Sequence, residues 1–384
     1  MRICLVTNGF PPFGVGGIIT QSYNLTELLH KKGVDITVLS LGDEFEEDFS
    51  NGYRVVRLKT PLDSQLKRTT VFQLRVFKWL RKNNDFDIIH FQESTGFFFF
   101  LFELISNKRH NTLYAFHHSP ISELRFYIKF FFRIPVETLI YSLFIVWIFE
   151  ELFCLKMSKK IITVSNYSYN VLKSWKIEPE KIDVINNGIT CHNKVFLNSS
   201  NNITHFLFVG RLVPRKGLDI LIDSLVILSK NKIKQIHVDI VGDGPLFNYV
   251  KKKITKNNLK NCKLWGYISQ NDLNELYDGA DCFICPSYLE GFGIVLLEAA
   301  CKNLAIIAND IEVFKEIFTE DEAIYFEKDD PTDLARKMIY LSENNSKIKF
   351  LQRKSLKKAN DFSWDVISDR YISLYNKMMR EWIN

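Results

Sequence analysis

Two carboxylates, Glu290 and Glu298, flank a pair of glycines in the run Glu-Gly-Phe-Gly-Ile-Val-Leu-Leu-Glu. The apolar run Asp281 to Cys285 has the length of a buried strand, Pro286 stops it, and the spacing predicts a helix from near Ile294. A strand, a glycine turn and a helix together suit an anion. Glycines let a ligand approach the backbone, and the N–H groups of a first helical turn carry partial positive charge that can hold a phosphate. Glu298 falls one turn beyond Ile294 on the same side of that helix, where a carboxylate can accept two hydrogen bonds from vicinal hydroxyls such as those of a ribose. Glu290 stands before the helix and can meet a second polyol. Taken alone, the pattern also describes a buried helix with two solvated glutamates.

A second cluster shifts that balance. Gly210-Arg211-Leu212-Val213-Pro214-Arg215-Lys216-Gly217 lies between an expected strand, His205–Val209, and an expected helix, Leu218–Lys230. Arg211 and Lys216 then stand at a strand's carboxyl end, where a guanidinium fork and a compact ammonium can neutralise a diphosphate leaving group.

The elements that must position these residues repeat twice. Strand Arg2–Thr7, loop Asn8–Gly17, helix Ile18–Lys32 and strand Asp35–Ser40 make a βαβ unit, and strands follow at Ile88–Gln92, Thr112–Phe116, Lys160–Val164 and Val184–Ile185. Cys191–Asn202 holds four Asn and two Ser in twelve residues and reads as a linker. Alternation then resumes with strands His205–Val209, Ile236–Val241, Cys262–Trp265, Asp281–Cys285 and Leu304–Ala308. The expected organisation is an α/β domain over 1–190, a linker over 191–203 and a second α/β domain over 204–361. A C-terminal amphipathic helix over 362–384 is expected to pack back on the first domain. Ligands of open α/β sheets bind beyond the carboxyl ends of the strands, so both domains should present loops to a cleft between them.

Length and composition agree. The 384 residues suit two domains, and 46% apolar with 24% charged residues describe a globular chain. Net charge is only +6, but Arg54–Lys82 holds nine Lys or Arg against one acid, Asp63. That stretch is either a surface for phosphates or an anionic membrane, or a solvated helix face. The seven cysteines are scattered without metal-ligand spacing and read as reduced core thiols of a cytosolic protein. The N-terminal apolar run is too short for an export signal. Asp85-Phe86-Asp87 has a metal-binding pattern but stands at the start of a strand, the wrong end for a ligand. Gly14-x-Gly16-x-x-Ile19 lacks the third glycine of a dinucleotide fingerprint.

In order along nearly the whole chain, several motifs resemble those of the retaining GT-B glycosyltransferases of family four, which use nucleotide sugars. They are Gly14-Val15-Gly16-Gly17, Asp87-Ile88-Ile89-His90, Ile161–Ser165, Asn187-Gly188-Ile189, the Gly210–Gly217 loop, Gly242-Asp243-Gly244-Pro245, Gly266-Tyr267-Ile268, Pro286-Ser287, the Glu290 to Glu298 stretch and Phe362-Ser363-Trp364. The resemblance implies a GT-B fold, two Rossmann-like doubly wound domains, and a UDP- or GDP-sugar as co-substrate with no other cofactor and no metal. It implies that Arg211 and Lys216 bind the donor diphosphate, Glu298 the ribose, and Glu290 with the backbone of Gly291, Phe292 and Gly293 the transferred sugar. Gly16 and Gly17 approach the phosphates from the other domain, the backbone near Tyr267 and Ile268 holds the base, and His117, or its neighbour His118, lies near the donor sugar. It also implies front-face transfer without an enzyme nucleophile, consistent with the lack of a nucleophile–base pair in the sequence. One departure is recorded: the family's Gly-Lys-Pro-Val run and Gly-Gly turn are here Lys302-Asn303-Leu304-Ala305 and Asp310-Ile311-Glu312-Val313.

The acceptor side is aromatic. Fourteen of the 32 Phe fall between Phe91 and Phe153, and Arg125, Lys129 and Arg133 recur every four residues. The pattern fits either an interfacial helix on an anionic bilayer or a Phe-rich core. Thr138–Phe149 is uncharged but too short to span a bilayer. The expected protein is a cytoplasmic glycosyltransferase, peripheral on the membrane, with a glycan or lipid-linked acceptor and no nucleic-acid partner. A catalytically silent nucleotide-sugar-binding protein or partner subunit, and a nucleotide-sugar epimerase, are the alternatives.

Overall fold

The computed structural model describes residues 1–14, 16–61, 65–129, 144–191 and 203–383. They form two compact units. The first contains an eight-stranded sheet of β1 (Arg2–Thr7), β2 (Asp35–Gly42), β3 (Glu46–Asp48), β4 (Arg54–Lys59), β5 (Ile88–Gln92), β6 (Thr112–Phe116), β7 (Lys160–Thr163) and β8 (Ile182–Val184). Their spatial order is β3-β4-β2-β1-β5-β6-β7-β8. Every pairing is parallel except β3 against β4. Helices α1 (Gly17–Lys31), α2 (Gln65–Lys82), α3 (Phe97–Ser106), α4 (Pro120–Lys129), α5 (Phe144–Met157) and α6 (Asn166–Ser174) connect the strands. From Ser122 onward α4 belongs to the second unit.

The second unit is a six-stranded sheet of β9 (Thr204–Val209), β10 (Ile236–Val241), β11 (Cys262–Gly266), β12 (Cys282–Cys285), β13 (Ala305–Asn309) and β14 (Ile324–Phe326), in the order β11-β10-β9-β12-β13-β14. Counted from its own first strand this is 3-2-1-4-5-6, the doubly wound order whose ligand crevice opens where the winding reverses. Helices α7 (Leu218–Lys230), α8 (Phe247–Lys256), α9 (Gln270–Gly279), α10 (Ile294–Cys301), α11 (Glu312–Lys315), α12 (Pro331–Glu343) and α13 (Asn345–Ala359) cover it, and α14 (Trp364–Ile383) follows.

Strands buried on both faces read as unbroken apolar runs, and β5, β6, β12 and β13 are buried along their whole length. The charged β3 escapes that signal because it sits at the sheet edge. Its acids account for two of the nine cations of the basic stretch beside it. Arg54 pairs with Glu47 at 2.9 Å, and the buried Arg57 lies 3.1 Å from Glu46 and 3.4 Å from Asp48. These cations are neutralised within the fold and offer no free basic surface.

α14 returns to the first unit. Trp364, Ile367, Tyr371, Leu374, Tyr375 and Met378 recur every three or four residues and pack among Ile3, Leu5, Leu113 and Ile185. Two motifs meet here: the Trp364 ring covers Gly188, where an added Cβ would overlap it. Gln21 holds that glycine's backbone from the other side, donating to its carbonyl at 2.9 Å and accepting from its N–H at 3.2 Å. The units divide between Gly188 and Ile189, ahead of the expected linker, of which residues 192–202 lie outside the described residues.

Three expectations change. Cys191 and Cys301 form a disulfide with Cα atoms 4.8 Å apart, so not all seven cysteines are free thiols; Cys4, Cys154, Cys262, Cys282 and Cys285 are. Their separation of 110 residues gave no sequence signal for the pairing. The Phe-rich stretch is partly core, since Phe91, Phe99, Phe100 and Phe116 pack together with Tyr114 under the first sheet. Phe126 lies tilted against Tyr288 with ring centroids 5.4 Å apart, while Arg125 is exposed. The side chain of Lys129 and all of Arg133 lie outside the described residues. Lastly, the missing glycines are accommodated. Asn303 takes the left-handed conformation after α10 at φ 60°, which Asn tolerates, and α11 begins at Glu312 without a glycine turn.

Candidate active site

At the reversal point of the second sheet, the loops after β9 and β12 carry the residues that the sequence singled out. Lys216 Nζ donates to Glu290 Oε1 at 2.5 Å, and Ser287 Oγ donates to the same oxygen at 2.9 Å. Arg215 Nη1 donates to Glu290 Oε2 at 3.1 Å, and its Nε lies 3.1 Å from Glu123 of α4. Burial pushes the Glu290 carboxyl up, but the charges of Lys216 and Arg215 and the bonds from Lys216 and Ser287 outweigh it and hold it at about 2. Glu290 is therefore a fixed anion between two cations.

The loop bearing Glu290 is rigidly tied. The Tyr288 N–H donates to the Arg215 carbonyl at 2.8 Å, its hydroxyl donates to Asp219 at 2.7 Å, and Asn309 Nδ2 donates to the Ser287 carbonyl at 3.1 Å. Gly217, at φ 66°, lets the β9 loop lie directly on Pro286.

Gly293, at φ 94°, caps α10, so the helix begins at Ile294. Glu298, one turn in, is partly buried; burial pushes its carboxyl up and the Lys216 charge opposes the shift. Arg211 is exposed at the end of β9 with no partner among the described residues. Tyr267 follows β11 and is exposed, with Ile268 beside it half-buried. Phe292 is buried against Phe362 at 5.8 Å, so its side chain serves packing and only its backbone is available to a ligand. Arg215 was missed by sequence reasoning because a loop arginine beside a lysine carries no signal of its own.

In the first unit, α1 starts at Gly17 with Gly16 as its N-cap. The reversal point lies between β1 and β5, and there the structure adds Glu93, at φ 55° just past β5. His118 Nδ1 lies 3.3 Å from Glu93 Oε1. His117, ending β6, is fixed differently. Its Nε2 lies 2.5 Å from Gln92 Oε1, which only accepts, so Nε2 carries the proton and Nδ1 the lone pair. Gln92 Nε2 stands 3.4 Å from His90 Nε2, and His90 Nδ1 stands 2.8 Å from the Tyr375 hydroxyl, a buried relay from α14 to the strand end. Burial holds His117 at about 4, with Glu93 opposing and His118 adding to the shift, and burial with the His117 charge holds His90 at about 3.

A histidine whose pKa is depressed by folding binds its proton more readily in the unfolded chain. Stability should therefore decline as pH falls from about 6.5 towards 4, and Glu290 adds a further loss as pH drops from 4.5 through about 2. Urea midpoints at pH 7, 5.5 and 4.5 should fall in that order; a flat series contradicts a neutral His117 and His90 in the folded chain.

The Asp85-x-Asp87 pair is structural: Asp87 accepts from the Arg2 backbone N–H at 2.7 Å and Asp85 pairs with the Arg2 side chain. Among the described residues no helix is long and apolar enough to cross a membrane.

Comparison with known proteins points one way. The family model described as "Glycosyl transferases group 1" matches residues 193–360, and that of "Glycosyltransferase Family 4" matches residues 15–193. An uncharacterized glycosyltransferase of Methanocaldococcus jannaschii is 32% identical over 209 residues, 54% of this chain and 56% of that protein. The O-antigen chain mannosyltransferase C of Escherichia coli is 24% identical over 99% of both chains. The structure of Anabaena HepE in complex with UDP-glucose matches the fold with a TM-score of 0.74 at 18% identity, over 98% of this chain and 100% of that one.

Proposed function

The chain belongs to the group 1 glycosyltransferases, and we propose that it is a retaining, metal-independent enzyme that moves a sugar from a UDP- or GDP-sugar to a lipid-linked or envelope-polysaccharide acceptor. The carrying observation is the Lys216–Glu290–Arg215 cluster at the reversal point of a 3-2-1-4-5-6 sheet. Support for the donor comes from a fold neighbour whose solved complex holds UDP-glucose, and for the acceptor class from the full-length relative named as an O-antigen mannosyltransferase.

In this reading Lys216 and Arg211 neutralise the diphosphate, Glu298 takes the ribose hydroxyls, and Glu290 with the Gly291–Gly293 backbone takes the sugar. Tyr267 and Ile268, after β11, hold the base. The bond from the anomeric carbon to the phosphate oxygen breaks while the bond to the acceptor oxygen forms on the same face. The acceptor proton passes to the departing phosphate. The protein's part is electrostatic and positional, which is where most of such a rate enhancement arises. The enzyme acts in the cytoplasm, peripheral on the membrane.

A panel of nucleotide sugars tested for thermal stabilisation checks the donor site. One donor, well above its dissociation constant, should stabilise the wild type by about 2–4 kcal/mol and Glu298→Ala by far less. Equal stabilisation of both proteins removes Glu298 from the site, and no stabilisation by any donor contradicts the donor assignment. Flotation with anionic liposomes checks the location: recovery of all protein in the unbound fraction contradicts it.

A further inference from the structure

At the amino end of the second sheet, opposite the donor loops, two histidines and a carboxylate share one face. His205 of β9 is the direct register partner of His237 of β10, and Asp239 lies two residues further along β10. One ligand atom from each lies within 4.8 Å of the others, and all three side chains are half-buried. We propose that His205, His237 and Asp239 form a binding site for a divalent transition ion of the zinc class, with a water completing the coordination.

The chemistry of the set selects the ion. Imidazole nitrogens suit zinc and its neighbours, whereas calcium and magnesium take oxygen ligands alone. Tetrahedral zinc with bonds near 2.0–2.2 Å places its ligand atoms roughly 3.3 Å apart. His237 Nε2 and Asp239 Oδ1 already stand 3.3 Å apart, and a side-chain rotation of His205 closes the remaining gap.

An outer support is also present. The indole N–H of Trp265 donates to Asp239 Oδ1 at 2.7 Å and fixes the carboxylate, the kind of second contact that orients metal ligands. Asp239 Oδ2 has no hydrogen-bond partner among the described residues and can turn to the ion. Lys263 is the register partner of Asp239, yet its Nζ sits 3.0 Å from the centre of the Trp265 ring. A bound ion would cross-link β9 and β10, and through Trp265 β11.

The site does not alter the reading of the donor chemistry. His205 lies five residues before Gly210, about 16 Å along an extended strand. The ion would stabilise the unit without touching the reacting atoms.

Titration of the full chain with Co²⁺ alone, followed by displacement with Zn²⁺, tests it. One equivalent of Co²⁺ should bind saturably, give a visible d–d band without a thiolate charge-transfer band, and be displaced by Zn²⁺. His237→Ala and the gentler Asp239→Asn, which keeps an acceptor for Trp265, should each weaken binding at least tenfold. Circular dichroism spectra matching the wild type would establish that the variants fold. The proposal is overturned by no saturable binding to the wild type, by a thiolate band pointing to Cys262 or another cysteine, or by unchanged affinity in both folded variants. Its failure leaves the donor-site reading intact, because nucleotide-sugar stabilisation is measured in metal-free buffer.

Discussion

Lys216→Ala is expected to lower turnover on the order of 10²-fold or more, with a smaller effect on the donor KM. Negative charge grows on the diphosphate as the glycosidic bond breaks, so a fixed ammonium beside it stabilises the transition state more than the ground state. The variant should still fold. Removing one partner of a buried pair is costly when the other charge is left alone. Here Glu290 keeps Arg215 at 3.1 Å and the Ser287 hydroxyl at 2.9 Å. Nucleoside diphosphate release at saturating donor measures the loss, and Lys216→Arg separates charge from shape. Unchanged turnover in a folded Lys216→Ala protein removes this residue from the mechanism.

The second large effect is on folding. Gly217→Ala should destabilise the chain by roughly 2–4 kcal/mol, because strain and overlap add at this position. The residue sits at φ 66°, and a Cβ there would overlap the Pro286 carbonyl oxygen. Either the β9 loop or the β12 loop must then retreat, which moves Lys216 away from Glu290. Denaturation midpoints should fall, and donor stabilisation of the remaining folded protein should fall with them. A midpoint equal to that of the wild type contradicts the close seating of the two loops.

Legibility in the sequence followed the physics of each element. Strands β1, β5, β6 and β10 and helix α7 match their expected bounds: buried parallel strands leave mainly apolar runs, β10 alternates buried apolar with half-buried polar residues over its first four positions, and helices leave a 3.6-residue stripe. β3 was invisible: an edge strand of three acidic residues has neither alternation nor β propensity, and its role in neutralising Arg54 and Arg57 emerges only from register. Within the site, Lys216 and Glu290 were legible because glycines and a strand end framed them. Arg215, Glu93 and the Tyr375–His90–Gln92–His117 relay were not, since each depends on side chains brought together from distant segments. The Cys191–Cys301 bond belongs to the same class, with 110 residues between its ends.

The stereochemistry of transfer tests the central claim most directly. With the donor identified by thermal stabilisation, the product should be followed by proton NMR in the presence of EDTA, using water as the acceptor if no glycan acceptor is yet in hand. The account predicts undiminished turnover in EDTA and a first-formed product with the anomeric configuration of the donor. An inverted product, or turnover abolished by EDTA and restored by a divalent ion, would contradict it.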